Sequence, residues 1–120
     1  MSDVPLDELV KTIVCDPDPL HPDVTPSVLA LIDRGTAGAQ AVLPLLDDPD
    51  RDVRRHAQSV LEGVVMIRSG WRPGRGYSDP SEGEAETDAV LRANAYDADA
   101  PSEQRREAAE RWRRWLDESS

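Results

Sequence analysis

The strongest constraint on the fold is an acidic, proline-containing turn between two segments with helical apolar spacing. Residues 41–65 read AVLPLLDDPDRDVRRHAQSVLEGVV. Pro49 stops a helix, the neighbouring carboxylates suit turns, and Asp50 is the predicted N-cap of the second helix. Two helices joined this tightly must bury their apolar faces against further helices. Those faces consist of Val42, Leu43, Leu45 and Leu46 before the turn, and Val53, Ala57, Val60, Leu61 and Val64 after it.

The turn and the second helix resemble a HEAT repeat. The pattern D-x-x-x-x-V-R-x-x-A of that family is matched in register by Asp48, Val53, Arg54 and Ala57. The resemblance implies an all-α fold of the armadillo/HEAT solenoid type, a short right-handed stack of helical hairpins with about five to six helices. The ending AAERWRRWLDE is similar to C-terminal helices of small bacterial HEAT-containing proteins.

A second, degenerate unit precedes this hairpin. We expect it to run from about Pro5 to Arg34, with its second helix over 26–34 capped by Thr25. Residues 1–67 would then form two HEAT-like hairpins of a single domain covering 1–120. The evidence is that the tripeptides DPD and SVL each occur twice, 32 residues apart, at 16–18 and 48–50 and at 27–29 and 59–61.

The C-terminal part, residues 84–120, predicts a helical cap. Residues 84–94 are weakly amphipathic, with Ala85 and Ala89 on the inner side, and 103–117 form a stronger amphipathic helix. Its two tryptophans could form a ligand-stacking platform. Because the chain has no Phe, we instead expect Trp112 and Trp115 to provide bulky packing against the helix over 51–67.

Residues 68–83 predict a loop, because glycines and a proline interrupt any apolar periodicity. Trp and Tyr beside arginines are typical of binding hot spots, which favours a contact patch. Alternatively, Trp71 folds back as a satellite of the core and the arginines pair with acidic segments. Together with the arginines of the preceding helix, these residues are the candidate partner-binding site: Arg51, Arg55, Arg68, Trp71, Arg72, Arg75 and Tyr77.

The charge distribution favours a protein partner with a basic surface. The chain carries a net charge of −10, yet residues 51–77 hold six arginines against two acids. An acidic chain with one basic belt is disfavoured as a nucleic-acid binder. The acids could also serve only to keep the surface soluble.

The sequence predicts no catalytic residues, no metal site and no cofactor site. His21 and His56 are the only histidines, and the single Cys15 excludes both a cysteine pair and an internal disulfide. We expect Cys15 to be buried and inert, and His56 to be solvated or hydrogen-bonded. An acidic N-terminus and the lack of a long apolar run predict no signal peptide and no membrane helix, and hence a cytoplasmic protein.

Three functions follow as expectations. The first is a non-catalytic protein-interaction module: an adaptor, a scaffold subunit or an inhibitor of the immunity type that binds a basic partner. The second is nucleic-acid binding through the arginine belt of 51–77, by analogy with HEAT-like DNA-repair glycosylases. The third is an accessory or lyase-like HEAT enzyme, by analogy of fold alone. The oligomeric state is not encoded in any motif.

Overall fold

The acidic turn and the stripes on either side of it form the helical hairpin that the sequence predicts. The computed structural model describes residues 4–119, and within that range the chain is mostly helical with one short two-stranded sheet. The all-α fold class is thereby confirmed, whereas a HEAT-like stack stays a prediction. The elements in chain order are α1 (Leu6–Lys11), α2 (Pro26–Asp33), α3 (Thr36–Val42), a 3-10 helix (Leu43–Asp47), α4 (Arg51–Arg68), the antiparallel strands β1 (Trp71–Arg72) and β2 (Gly76–Tyr77), α5 (Pro80–Ala93) and α6 (Ser102–Ser119).

Helix α4 is the element against which most others pack. It starts after Asp50, whose carboxylate accepts the backbone N–H of Asp52 at 2.8 Å, as an N-cap does. Its apolar stripe is buried against α2, α3 and the 3-10 helix, while α5 and β1 lie on its other sides. The buried members of the stripe are Ala57, Val60, Leu61, Val64 and Val65.

Buried Arg54 joins the acidic turn to the segment that precedes α6. Its Nε donates to the Ala98 carbonyl at 2.9 Å, and its Nη1 donates to the carbonyls of Asp48 at 2.8 Å and Pro49 at 3.1 Å. Tyr96 makes a parallel link, because its hydroxyl donates to the Leu46 carbonyl at 2.5 Å. Burial there raises the pKa of Tyr96 to about 12.

Asp47 attaches the beginning of α6 to the 3-10 helix. Its Oδ1 accepts a hydrogen bond from the Ser102 hydroxyl at 2.7 Å and another from Arg105 Nη2 at 3.0 Å. The Ser102 hydrogen bond is the main reason why the pKa of Asp47 lies below its ordinary value. The N-terminal turn of α6 is therefore fixed by the side chain of Asp47, which directly precedes the carbonyls that Arg54 holds.

Helix α6, which carries both Trp112 and Trp115, packs mainly on the 3-10 helix and α3. The sequence had predicted α4 as its main neighbour. Trp112 is buried in the core, which confirms its structural role, and its ring meets the ring of Trp115 edge-on with centroids 5.6 Å apart. Trp115 is half-buried and reaches α4 through Arg68, whose guanidinium lies 4.8 Å from the centre of its ring.

The predicted loop over 68–83 is shorter in the structure. A β-hairpin occupies 71–77, and α5 starts at Pro80 rather than at Glu84, because Asp79 caps it by accepting the N–H of Glu82 at 3.1 Å. The inner face of α5 also differs from the prediction. Gly83 and Thr87 are buried, whereas Ala85 and Ala89 are exposed.

The predicted burial of Cys15 was wrong. The apolar residues from Leu6 to Val14 favour a first helix that reaches Cys15, but α1 ends at Lys11 and Cys15 is exposed in the segment after it.

Thr25 is the predicted cap of α2, and it accepts the N–H of Val28 at 3.1 Å while donating to the Ile13 carbonyl at 2.7 Å. These two hydrogen bonds lie at the end of the segment between α1 and α2, which contains Pro17, Pro19 and Pro22.

A Gly38→Ala substitution should destabilise the fold by at least about 2 kcal/mol, despite the better helix propensity of alanine. A Cβ at Gly38 would lie 1.9 Å from the Leu31 carbonyl oxygen, so α2 and α3 would have to separate. Urea unfolding measures the loss. Gln40→Ala, at an exposed position of the same helix, is the control and should change stability by less than about 0.5 kcal/mol. Equal stability of the two variants would contradict the close packing of α2 and α3.

An Arg54→Lys substitution should cost about 2–3 kcal/mol, because a single ammonium group cannot reach carbonyls on both sides as the guanidinium does. Thermal unfolding compared with Arg55→Lys, which changes an exposed neighbour, isolates the effect of the buried position. A similar melting temperature for both variants would show that the carbonyl contacts of Arg54 contribute little.

Candidate binding groove

The arginines that were predicted to form one belt lie at opposite ends of α4. Arg51 is at its N-terminal end and forms a bidentate ion pair with Asp99, with Nη2 to Oδ2 at 3.0 Å. Arg55 is exposed one turn further along. Arg68, at the other end about 25 Å away, donates to the Thr36 hydroxyl and covers Trp115. These three arginines therefore do not form a continuous surface.

The remaining predicted residues belong to the β-hairpin. Arg72, Arg75 and Tyr77 border one hollow of about 340 Å³. Arg72 Nη1 donates to the carbonyls of Ile67 at 3.1 Å and Trp71 at 2.8 Å, and the Tyr77 hydroxyl lies 3.0 Å from the Thr87 hydroxyl on α5. Arg72 and Tyr77 thus also hold the hairpin against the neighbouring helices.

Trp71 is brought to a different place, an apolar groove of about 650 Å³ between α2 and α4. It is half-buried there, so the ring packs against the helices and leaves part of its surface exposed, while its role in a contact patch stays a prediction. Trp71 and Pro73 line the groove from the hairpin that follows α4. Its helical walls are lined by Val28, Leu29 and Ile32 from α2 and by Gly63, Met66 and Ile67 from α4.

The groove is open to solvent and has a tightly packed base. Leu29 is 57% exposed and lies among the other apolar residues that line the groove, so it belongs to a patch and is not an isolated exposed leucine. Gly63 permits close contact of the two helices, because a Cβ at that position would lie 2.4 Å from Cδ1 of Ile32. The width of the groove is therefore set by where α2 and α4 meet at Gly63.

The border of the groove is acidic. Asp33 and Glu62 line it, and the described residues that line it include no Lys, Arg or His. Asp23 is close by, since its Oδ2 accepts the Ser59 hydroxyl at 3.1 Å. Burial, and then the charge of Asp23, raise the pKa of Glu62, while Arg55 has the opposite, smaller effect.

Sequence reasoning found Trp71 but missed the groove into which it projects. The available signal was the run VLALI over 28–32, which places apolar residues all around α2. A helix that is apolar on every side has more apolar surface than one neighbouring helix can cover. In α2, Leu29 remains exposed and Ile32 remains partly exposed. This run was used only to predict a helix over 26–34, and not to ask which of its sides is covered.

The described residues offer little for chemistry. Among residues 4–119, no three His, Cys, Asp or Glu side chains are grouped so that they could hold a metal ion. His56 is buried and hydrogen-bonded, with Nδ1 2.5 Å from the Asp52 carbonyl oxygen, so it is not solvated. His21 is exposed, and its Nδ1 lies 3.8 Å from Oδ1 of Asp18.

In the described part of the chain, residues 4–119, no helix combines the length and the apolar character that crossing a membrane requires.

Comparison of the chain with protein-family models, with curated proteins and with solved structures finds no significant match.

A Glu62→Gln substitution should stabilise the chain at about pH 7 by no more than about 1 kcal/mol, because the carboxyl group is only partly desolvated. Because the pKa of Glu62 is raised in the folded state, the protonated carboxyl stabilises the fold at pH values below the unfolded-state pKa of 4.5. That stabilisation is lost as the pH rises through the folded-state pKa. The gain should therefore disappear by about pH 4. Urea unfolding at both pH values measures it, with exposed Glu84→Gln as control. A gain that persists at the lower pH would contradict the assigned cause.

Proposed function

We propose that this chain is a protein-binding module that recognises its partner through the apolar groove between α2 and α4. The observation that carries the proposal is an open apolar surface built from Leu29, Met66 and Trp71. Solvent-exposed apolar patches of this kind mark interaction sites, and Trp and Met are enriched in the cores of protein interfaces.

The charges around the groove support a partner with a basic surface. Asp33 and Glu62 border the groove, Asp23 adds to their field, and the chain as a whole has a net charge of −10. Such a field accelerates encounter with cationic proteins and disfavours nucleic acid. An adaptor, a scaffold subunit and an inhibitor of the immunity type would all use this surface in the same way.

The arginine belt gives less support to nucleic-acid binding. A phosphate backbone needs several cations along one path, whereas Arg51 and Arg68 lie at opposite ends of α4 and each has a partner within the chain. The basic groups of the hairpin, Arg72 and Arg75, are two charges on a single turn. A role as an accessory or lyase-like enzyme rests on the analogy of fold alone.

Selection from a random peptide library displayed on phage tests the proposed function. The chain should enrich peptides rich in Lys or Arg, and their affinity should fall at least about tenfold on Leu29→Gln, because a polar amide replaces an apolar contact in the groove. Affinities are measured by calorimetry with synthetic copies of the enriched peptides.

Leu20→Gln is the matched control, since Leu20 is 84% exposed and is not part of the groove. Leu20→Gln makes the same change of side chain as Leu29→Gln, but outside the groove. Binders that respond equally to both variants, or a selection that enriches none that depends on Leu29, would refute the groove as the binding site.

A further inference from the structure

The part of the groove lining that α4 contributes follows one stripe along that helix. Ser59, Gly63, Met66 and Ile67 are spaced by four, three and one residues, so they lie on one face over about 12 Å of helix. Leu29 and Ile32 of α2 form the opposite wall. The groove is thus about as long as two turns of an α-helix.

We infer that the occupant of the groove is an amphipathic α-helix of the partner, with an apolar stripe flanked by Lys or Arg. This inference rests on the proposed protein-binding function and specifies the ligand of that same site. The apolar side chains of the partner helix would contact Leu29, Met66 and Trp71. The lysines or arginines of that helix would lie next to Asp33 and Glu62.

A helical ligand is favoured because the walls have few groups that could satisfy an extended backbone. A strand laid in the groove would bury N–H and C=O groups that need partners. Among the groups lining the groove, the Ser59 hydroxyl already donates to Asp23, and the Trp71 carbonyl already accepts from Arg72. A helix satisfies its backbone internally and therefore needs only side-chain contacts, which is the usual helix-in-groove mode.

Charge selects among the other possible occupants. A second copy of this chain would bring another net charge of −10 against an acidic border, and like charges across an interface oppose association. Among the described residues that line the groove, none is a lysine or arginine that could pair with the partly desolvated carboxyl of Glu62, and Arg55 acts on it only from outside the lining. A cation from the ligand would therefore be its partner within the groove. A basic helix satisfies both the apolar walls and the acidic border.

Three synthetic peptides of about 15 residues test the inference. One carries Leu at i, i+3, i+4 and i+7 with Lys elsewhere, the second has the same composition with Leu at alternate positions, and the third replaces Lys with Glu. We expect the first to bind at least about tenfold tighter than the other two, because only it aligns an apolar stripe with flanking cations. Calorimetry measures the affinities, and circular dichroism should show helix gained on binding.

Variants of the chain locate the contacts. Trp71→Ala should weaken the first peptide about 30-fold, as expected when an aromatic anchor is lost. Leu29→Gln should weaken it about tenfold and Leu20→Gln should not. Asp33→Asn should weaken it about two- to fivefold at low salt and less at high salt, whereas Asp88→Asn, at an exposed site on α5, should have no effect.

The outcomes separate this inference from the function on which it rests. If the alternating peptide binds as tightly as the helical one, or if library binders depend on Leu29 while the helical peptide does not bind, the helical ligand is refuted and the protein-binding groove stands. If sedimentation shows a dimer of the free chain that Leu29→Gln dissociates, the occupant is a second copy. If neither the library nor the peptides give binding that depends on Leu29, both proposals fail.

Discussion

The guanidinium of Arg54 is buried and meets three backbone carbonyls, two from the acidic turn and one from Ala98. A buried cation needs all of its donors satisfied, so this arrangement fixes the turn and the distant segment in one geometry. Tyr96 on the Leu46 carbonyl and Ser102 on Asp47 extend the same line of contacts. The position of α6 over the 3-10 helix follows from these bonds together with the packing of Trp112.

That placement decides which faces are covered. Helix α6 lies over the 3-10 helix and α3, and α5 with the hairpin lies along α4. Within the described part of the chain, helices α5 and α6 do not pack on α2, and the hairpin contributes only Trp71 and Pro73 to the groove lining, so apolar residues of α2 remain at the surface together with the adjacent stripe of α4. The groove is thus a consequence of how the C-terminal helices are anchored, and not a separate structure added to the fold.

Much of the architecture could be predicted from periodicity and capping. Asp50, Thr25 and the stripe over 53–64 gave α4 and α2 nearly their observed bounds, because those signals are local. The hairpin at 71–77 was missed because two-residue strands leave no alternating pattern, and the early start of α5 depends on one cap at Asp79. The groove was missed because the apolar run over 28–32 indicates surplus apolar surface on α2, whereas apolar spacing does not show which part of that surface another helix covers. Trp71 was found because composition alone marks it.

The attachment of Trp71 has a consequence for how the groove moves. Arg72 donates to the Ile67 carbonyl, so the hairpin is fastened to the last turn of α4, the turn that also supplies Met66 and Ile67 to the groove. Fraying of that turn would shift the ring and both side chains at once, and the shape of the groove would be lost in a single local unfolding event. Amide hydrogen exchange at the C-terminal end of α4 would then report the fraction of molecules whose groove is formed, and a bound ligand would slow that exchange without touching the amides themselves.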